Sequence, residues 1–396
     1  MNSKQKHTTE TQRTQRLHRE IKTTMSTIVF IAYPETGHLN ASFKVARSLK
    51  ERGHRIYYLA LLDFEDAIRR QEFEYLPIFE TLCPKGFIQQ HAVKNNIDNF
   101  VAIVQQAERS RVPFDLSREM GLMIQAVRPD LFIIDLLLTD LAIRIEPSGI
   151  PMVLLNTQLF NPWAEDSGYD FLLNKTELIL CPQEFDFPGT QRKKNSYYVE
   201  ASIDLARDDL PFPWEAVDQH KPLIYCSFGS QSHLIEGSKQ FFQTIIDAVA
   251  ARPDWQLILT VGSLNVEDFH GITPNTLLVK NAPQLQVLKR ASVMITHGGF
   301  NSVKECIFFD VPMILFPVIR DHPAIAARVV YHGLGITGDI RETSVDQIHN
   351  FIDRILEDTT FKARVAAMGK IFRENEAASP SVPVIEKALP SLALHR

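Results

Sequence analysis

The sequence predicts an α/β fold made of two doubly wound domains that face one another across a cleft. Three observations carry that prediction. Apolar, β-branched runs of strand length alternate with stretches of helical spacing, beginning with Thr27–Tyr33 and His38–Arg52. The pattern starts twice, at Thr27 and again at Pro222, each time as strand, turn and helix. Between the two starts lies a Pro-rich, charged stretch, RDDLPFPWEAVDQH (Arg207–His220), with the character of a domain junction. The expected division is a disordered tail over 1–24, a first domain over 25–206, a linker over 207–220 and a second domain over 221–378. A last helix over 379–396 is expected to pack back on the first domain.

The elements follow in order. TIVFIAY (Thr27–Tyr33) is a buried strand, Pro34-Glu35-Thr36-Gly37 a turn, His38–Arg52 a helix stopped by Gly53, and His54–Ala60 a second strand. This is a βαβ unit, right-handed in a parallel sheet. Asp63–Arg118 reads as less regular, with three prolines and scattered aromatics, the kind of long loop in which ligand specificity is built. Regularity returns with Leu131–Asp135 (strand), Leu137–Ser148 (helix) and Pro151–Asn156 (strand); Asn156–Asp170 reads as another loop over the strand ends. In the second half, strands are expected at Pro222–Phe228, Trp255–Thr260, Thr276–Val279, Ala291–Ile295 and Met313–Phe316. Helices are expected at Phe241–Ala251, Gln284–Lys289, Phe300–Phe309, Asp321–His332, Ser344–Leu356, Phe361–Asn375 and Val382–Leu394.

Composition bounds the function. The chain has 396 residues, 45% hydrophobic and 22% charged, with a net charge of −5, so no global basic field points to nucleic acid. The four cysteines form no CxxC pair and read as reduced thiols of a cytoplasmic protein. The longest apolar run, Leu131–Ile145, contains Asp135, Asp140 and Arg144 and is too short and too charged for a bilayer span. The first 24 residues have no apolar core of a secretory signal and read as a tail, or as sequence ahead of a start at Met25. Nothing in the sequence speaks against a peripheral membrane contact.

The stretch ITHGGFNSVKEC (Ile295–Cys306) joins a strand, a glycine turn and a helix N-terminus. Gly298 and Gly299 have no Cβ and let a ligand approach the backbone. The first amides of a helix lack intrahelical partners and favour an anion, so the turn is a seat for phosphate, with His297, Asn301 and Ser302 adding donors. Glu305, about one turn further in, suits paired hydroxyls such as those of a ribose. In a parallel sheet the strand C-termini share one edge. That edge also gathers Ser227-Phe228-Gly229-Ser230, Asn281-Ala282-Pro283-Gln284 and Pro317–His322, which together suit a diphosphate; Asp321 also reads as a plain helix cap.

From Asn281 to Gly335 the chain reads NAPQLQVLKRASVMITHGGFNSVKECIFFDVPMILFPVIRDHPAIAARVVYHGLG. The A-P-Q-x-x-V-L, T-H-G-G-x-N-S, E, P and D-x-x-x-x-A-x-R-V elements resemble the GT-B glycosyltransferases that use nucleotide sugars on small molecules. That group includes UDP-glycosyltransferases and bacterial macrolide and carotenoid glycosyltransferases. The resemblance extends over about Thr27–Asn375 and implies a GT-B fold of two Rossmann-like domains. It implies that Ala282 and Gln284 hold the base. Gly37, Ser230, His297, Gly298, Gly299, Asn301 and Ser302 would then hold the donor around its diphosphate, Glu305 the ribose, and Asp321 and His322 the sugar. It further places the catalytic base at His38, in the P-E-T-G-H turn, with Asp135 as its carboxylate partner and Asp140 as the nearby rival. The chemistry fits, because a neutral imidazole can take the proton of a weakly nucleophilic hydroxyl while a carboxylate fixes its tautomer. The expected activity is an inverting hexosyltransferase, using a UDP- or dTDP-sugar and no cofactor or metal, that glycosylates an apolar small molecule. The aromatics Phe87, Phe100, Phe160 and Trp163 are the candidate acceptor contacts.

The sequence departs from the family at Asn281, where many relatives stack a Trp on the base, at His322 for the usual Gln, and at Ile325 for a frequent Asn. No Asp-x-Asp and no ligand cluster at metal spacing occurs; G-x-S-x-G, the P-loop and a full G-x-G-x-x-G are absent too. Two other readings are weighed: a nucleotide-sugar epimerase of the same architecture, which would act on donor alone, and a decayed nucleotide-sugar-binding protein, which would bind donor without turnover.

Overall fold

The computed structural model describes residues 25–88, 116–159, 161, 172–207, 211–229, 232 and 235–390. Strand β1 (Thr27–Ile31) leads through the Pro34-Glu35 turn into helix α1 (Thr36–Glu51), and β2 (Arg55–Ala60) completes the first βαβ unit. The apolar spacing of α1 turns Leu39, Phe43, Val45, Ala46 and Leu49 inward, and Gly53 closes the helix at a φ of 93° that a β-carbon would strain. Helix α2 (Glu65–Arg70) and β3 (Glu74–Pro77) follow, then α3 (Leu116–Val127), β4 (Leu131–Asp135), α4 (Thr139–Ile145), β5 (Met152–Asn156), β6 (Thr176–Ile179) and β7 (Ser196–Tyr198). All seven strands are parallel, in the order β3-β2-β1-β4-β5-β6-β7.

The second half contains β8 (Leu223–Ser227), α5 (Ser238–Ala250), β9 (Gln256–Thr260), β10 (Thr276–Val279), α6 (Gln284–Leu288), β11 (Val293–Thr296), α7 (Phe300–Phe308), β12 (Met313–Leu315), α8 (His322–Tyr331) and β13 (Gly335–Thr337). Its six parallel strands run β10-β9-β8-β11-β12-β13. Both sheets place the first strand of their half centrally and reverse order beside it, which opens a crevice at the strand C-termini. Helices α9 (Val345–Glu357), α10 (Thr359–Ala378) and α11 (Ser381–Ala388) end the described chain. Ser344 and Gln347 form a reciprocal capping box on α9.

Two expectations need correction. The stretch from Asp63 is more regular than its prolines suggest, since α2 and β3 fall within it; β3 is an edge strand, where Pro77 costs no ladder bond. The last helix stops at Ala388, just before Pro390, which cannot continue it. Strands β6, β7 and β13 are short and escape the periodicity altogether.

One core underlies the first sheet and includes Val382 and Ile385 of α11, which packs on α1 and β5. Another lies on the outer face of the second sheet around Phe228, Phe241 and Trp255. Between them a shared core joins Ile179, Cys181, Phe185 and Ile203 of the first half to Val303, Ile307 and Phe372 of the second. Phe185 is fully buried there, its ring 5.9 Å from Phe300, 5.8 Å from His332 and 6.1 Å from Phe372. Phe185→Ala is expected to cost about 3–5 kcal/mol in urea unfolding. A loss within the roughly 0.5 kcal/mol typical of surface sites would contradict the shared core.

Candidate active site

The site is built where the two sheet edges meet. Ile31 ends β1, and the next turn carries Glu35 and sets His38 in the first turn of α1, nearly buried. Asp135 is the last residue of β4, the neighbour of β1, so adjacent strand ends bring the two side chains together. His38 Nδ1 lies 2.7 Å from Asp135 Oδ2. The other carboxylate oxygen accepts from the Leu137 amide at 3.0 Å, which holds the acid in place. Thr157 and Gln158, just beyond the end of β5, complete the surround. Thr157 Oγ1 lies 2.8 Å from His38 Nδ1 and donates to Asp135 Oδ2 at 3.4 Å, and the Gln158 amide nitrogen stands 3.1 Å from His38 Nε2. An amide donor on one side and a carboxylate on the other assign the proton to Nδ1 and leave the Nε2 lone pair toward the cleft.

Burial opposes a charge on His38. The charge and hydrogen bond of Asp135, with Glu35 and Asp321 adding, outweigh it and raise the pKa above 6.5. By linkage the pair contributes stability that is full below the unfolded value and lost as pH rises through the higher folded one. Asp140 sits on α4, outside this pair.

Opposite lies the turn between β11 and α7. Gly298 has a φ of 92°, a conformation that a side chain would strain. Gly299 has an ordinary φ, but a β-carbon there would come 2.6 Å from His297 Nε2, so its bareness makes room for the imidazole. Burial, with the charge of His322, pushes His297 down to about 3, against a backbone hydrogen bond at Ser227. Burial and then Arg320 push His322 down to about 4. Both rings are neutral and meet edge to face at 4.5 Å. Gln284 at the start of α6 accepts from Tyr225 Oη at 3.2 Å and donates to Ser302 Oγ at 3.3 Å and Glu305 Oε2 at 2.5 Å.

His38 and this turn line one cavity of about 410 Å³, together with Gly37, Ala282, Gln284, Ser302, Glu305, Asp321 and His322. Asn301 spans it, donating from Nδ2 to the Gly37 carbonyl at 2.7 Å. Asp321 occupies the cap position of α8 yet makes no side-chain cap bond; it lines the cavity, and burial raises its pKa above 3.8. Beside it, Arg320 reaches across to both oxygens of Glu35, at 2.7 and 2.9 Å.

Phe87 is buried in the core of the first half and does not line the cavity; an aromatic between prolines packs as readily inward as toward a ligand. Ser230, Phe100, Phe160 and Trp163 lie outside the described residues. The sequence reading missed Glu35, Thr157, Gln158, Arg207 and Arg320. Asp135 came from the family resemblance; Thr157 and Gln158 follow the end of β5 much as Asp135 ends β4, whereas the ion pairs of Glu35 and Arg207 depend on residues of the other half. Among the described residues no group of three or more His, Cys, Asp or Glu side chains is arranged to hold a metal ion, and no helix is long and apolar enough to cross a membrane.

Known proteins share this architecture and sequence. The chain is 22% identical to the NDP-glycosyltransferase YjiC of Bacillus subtilis (strain 168), over 93% of this chain and 98% of that one. It is likewise 22% identical to the zeaxanthin glucosyltransferase of Pantoea ananas, over 92% and 96%. Among solved structures, the glycotransferase of kitacinnamycin superposes with a TM-score of 0.72 at 24% identity, covering 92% of this chain and 99% of that one. The spinosyn rhamnosyltransferase SpnG in complex with thymidine diphosphate gives 0.72 at 15%, over 91% and 100%. The fold is thus that of the GT-B glycosyltransferases. The family model described as UDP-glucoronosyl and UDP-glucosyl transferase matches residues 168–380, more than half of the chain and the whole of the phosphate-seat side of the cleft, and the chain belongs to that family.

Proposed function

We propose that this glycosyltransferase is an inverting enzyme that moves a hexose from a UDP- or dTDP-sugar to a hydroxyl of an apolar natural product, with His38 as general base and no metal. The observation that carries the reading is the placement of the His38–Asp135 pair and the His297–Glu305 seat on opposite walls of one cavity. The donor lies on the second half, its diphosphate against the first amides of α7, with Glu305 on the ribose and Asp321 and His322 on the sugar. The acceptor hydroxyl takes the place of the Gln158 amide at His38 Nε2. As it attacks the anomeric carbon, its proton passes to Nε2, and Asp135 stabilises the imidazolium. The diphosphate leaves on the opposite face, into donors already oriented for it. One relative is named a zeaxanthin glucosyltransferase and one solved structure the calicheamicin glycosyltransferase, names that favour an apolar acceptor here. A donor-only isomerisation is less favoured, because the relatives are named as transferases.

His38→Ala is expected to lower transfer to an apolar phenolic or alcohol panel by about 10²–10⁴-fold while UDP still binds. Full transferase activity in that variant would remove the base assignment, and an α-linked product from an α-linked donor, read by NMR coupling, would remove inversion. Because the neutral form of His38 acts and its pKa is raised, the acid limb of the rate profile is expected above pH 6.5. Asp135→Asn removes the partner that raises it, and the limb then moves to lower pH. Gly299→Ala keeps an allowed backbone but pushes the His297 ring aside. It is expected to weaken UDP or dTDP binding by roughly tenfold, the loss of one hydrogen bond to a charged group, with thermal stability close to that of the parent.

A further inference from the structure

Both oxygens of Glu305 are already engaged. Gln284 Nε2 donates to Oε2 at 2.5 Å, and Arg207, at the start of the segment that joins the halves, donates from Nη1 to Oε1 at 3.1 Å. Arg207 lines the same cavity as His297, Gly299 and Ser302. Its side chain is 26% exposed, against 9% for Glu305.

The diphosphate of a nucleotide sugar is strongly anionic, yet the seat on α7 offers it little fixed charge. His297 and His322 are neutral. Of the three other cations that line the cavity among the described residues, Lys304 donates to the carbonyls of Leu180 and Ala201, and Arg320 is bound to Glu35 beside the sugar-side residues. The third, Arg207, is paired with the very carboxylate that suits the ribose hydroxyls.

We propose that Arg207 is a donor-binding residue that works by partner exchange: the ribose hydroxyls of the nucleotide sugar take over Glu305, and the guanidinium released by them pairs with the diphosphate. This rests on the donor reading above. The exchange costs little, because neither group is left bare: the carboxylate trades a guanidinium for hydroxyl donors, and a guanidinium matches phosphate oxygens two at a time. It also couples two events. A ligand with ribose but no phosphate must break the Arg207–Glu305 pair without giving the arginine a new partner, whereas a nucleoside diphosphate replaces the pair with a better one.

The test compares UDP with uridine, and dTDP with thymidine, whose deoxyribose offers Glu305 only the 3′-hydroxyl, by titration calorimetry on the full chain and on Arg207→Gln and Arg207→Lys. Arg207→Gln is expected to bind the diphosphate roughly ten-fold more weakly. The same variant should bind the nucleoside about two- to five-fold more tightly, because the competitor for Glu305 is gone. Arg207→Lys, which keeps the charge but not the fork, should fall between parent and Arg207→Gln for the diphosphate. Unchanged affinity for both ligands in Arg207→Gln would overturn the proposal. So would an equal loss for both, since that is what an arginine merely holding Glu305 in place would give. A parent chain that binds none of the four ligands would overturn the donor reading itself and this inference with it, whereas a failure confined to the variants leaves the donor reading standing.

Discussion

Helix α7 is the element on which the rest depends, because it is nine residues long and faces three surroundings at once. Its N-terminus, with the unpaired amides of a first helical turn, lines the cavity. Val303, Cys306 and Ile307 bury its apolar face in the core shared by the two halves. Between these, Lys304 runs the other way: it is 1% exposed, and its ammonium reaches the Ala201 carbonyl at 2.8 Å and the Leu180 carbonyl at 3.4 Å, both in the first half. Burial lowers its pKa to about 8, against the charges of nearby groups such as Glu376 and Glu305. Carbonyl dipoles compensate a buried ammonium in part, which is why the position tolerates a lysine at all. Helix α7 is thereby anchored to the half that carries His38, and the link is made by a helix rather than by a loop.

The electrostatics of the cleft follow the same division. The first half concentrates anionic partners around an imidazole and raises its pKa, as Asp135 and Glu35 do for His38. The second half buries its two imidazoles away from such partners and lowers theirs. Three histidines in one cavity thus have pKa values shifted in opposite directions because their neighbours differ, and residue type alone would not separate them. That difference divides the cavity: an imidazole paired with a carboxylate in the first half, neutral imidazoles in the second.

Much of this was legible in the sequence because it depends on local rules. The family resemblance paired Asp135 with His38, and adjacent strand ends do set them 2.7 Å apart; the strand, glycine turn and helix around His297 form where the sequence pattern puts them. What was not legible depends on the meeting of the halves. Glu35 has no visible partner until Arg320 is brought across the cleft, and Arg207 reads as junction charge until Glu305 is placed opposite it. Phe87 went the other way: it looked like a ligand contact because aromatics in long loops often are, and it packs in the core, since composition does not say which face of a loop points inward. The short strands β6 and β7 were hidden for a related reason. Three or four residues hold too few alternations to show a period, yet they widen the first sheet toward the interface and lead into the segments that carry Phe185 and Ala201.

The contacts between the halves are of two kinds, and burial tells them apart. Away from the cleft rim, Arg328 donates to Asp186 at 2.9 and 2.7 Å, and that carboxylate also receives Arg192 and Tyr198; burial works against its charge, but these partners pull it down to about 2. With Phe185 and Lys304 nearby, removing any one of these groups would leave a buried charge or a cavity, so this side resists separation. Along the cavity the crossings are Asn301 to Gly37, Arg320 to Glu35 and Arg207 to Glu305, all involving side chains in contact with solvent. Such pairs are worth little individually and can be traded for water or for ligand hydroxyls and phosphates. The interface is therefore stiff where it sets the distance between His38 and the turn into α7, and exchangeable along the cavity between them. A cleft enzyme needs that asymmetry: were the buried contacts the exchangeable ones, each binding event would reset the distance over which the sugar is transferred.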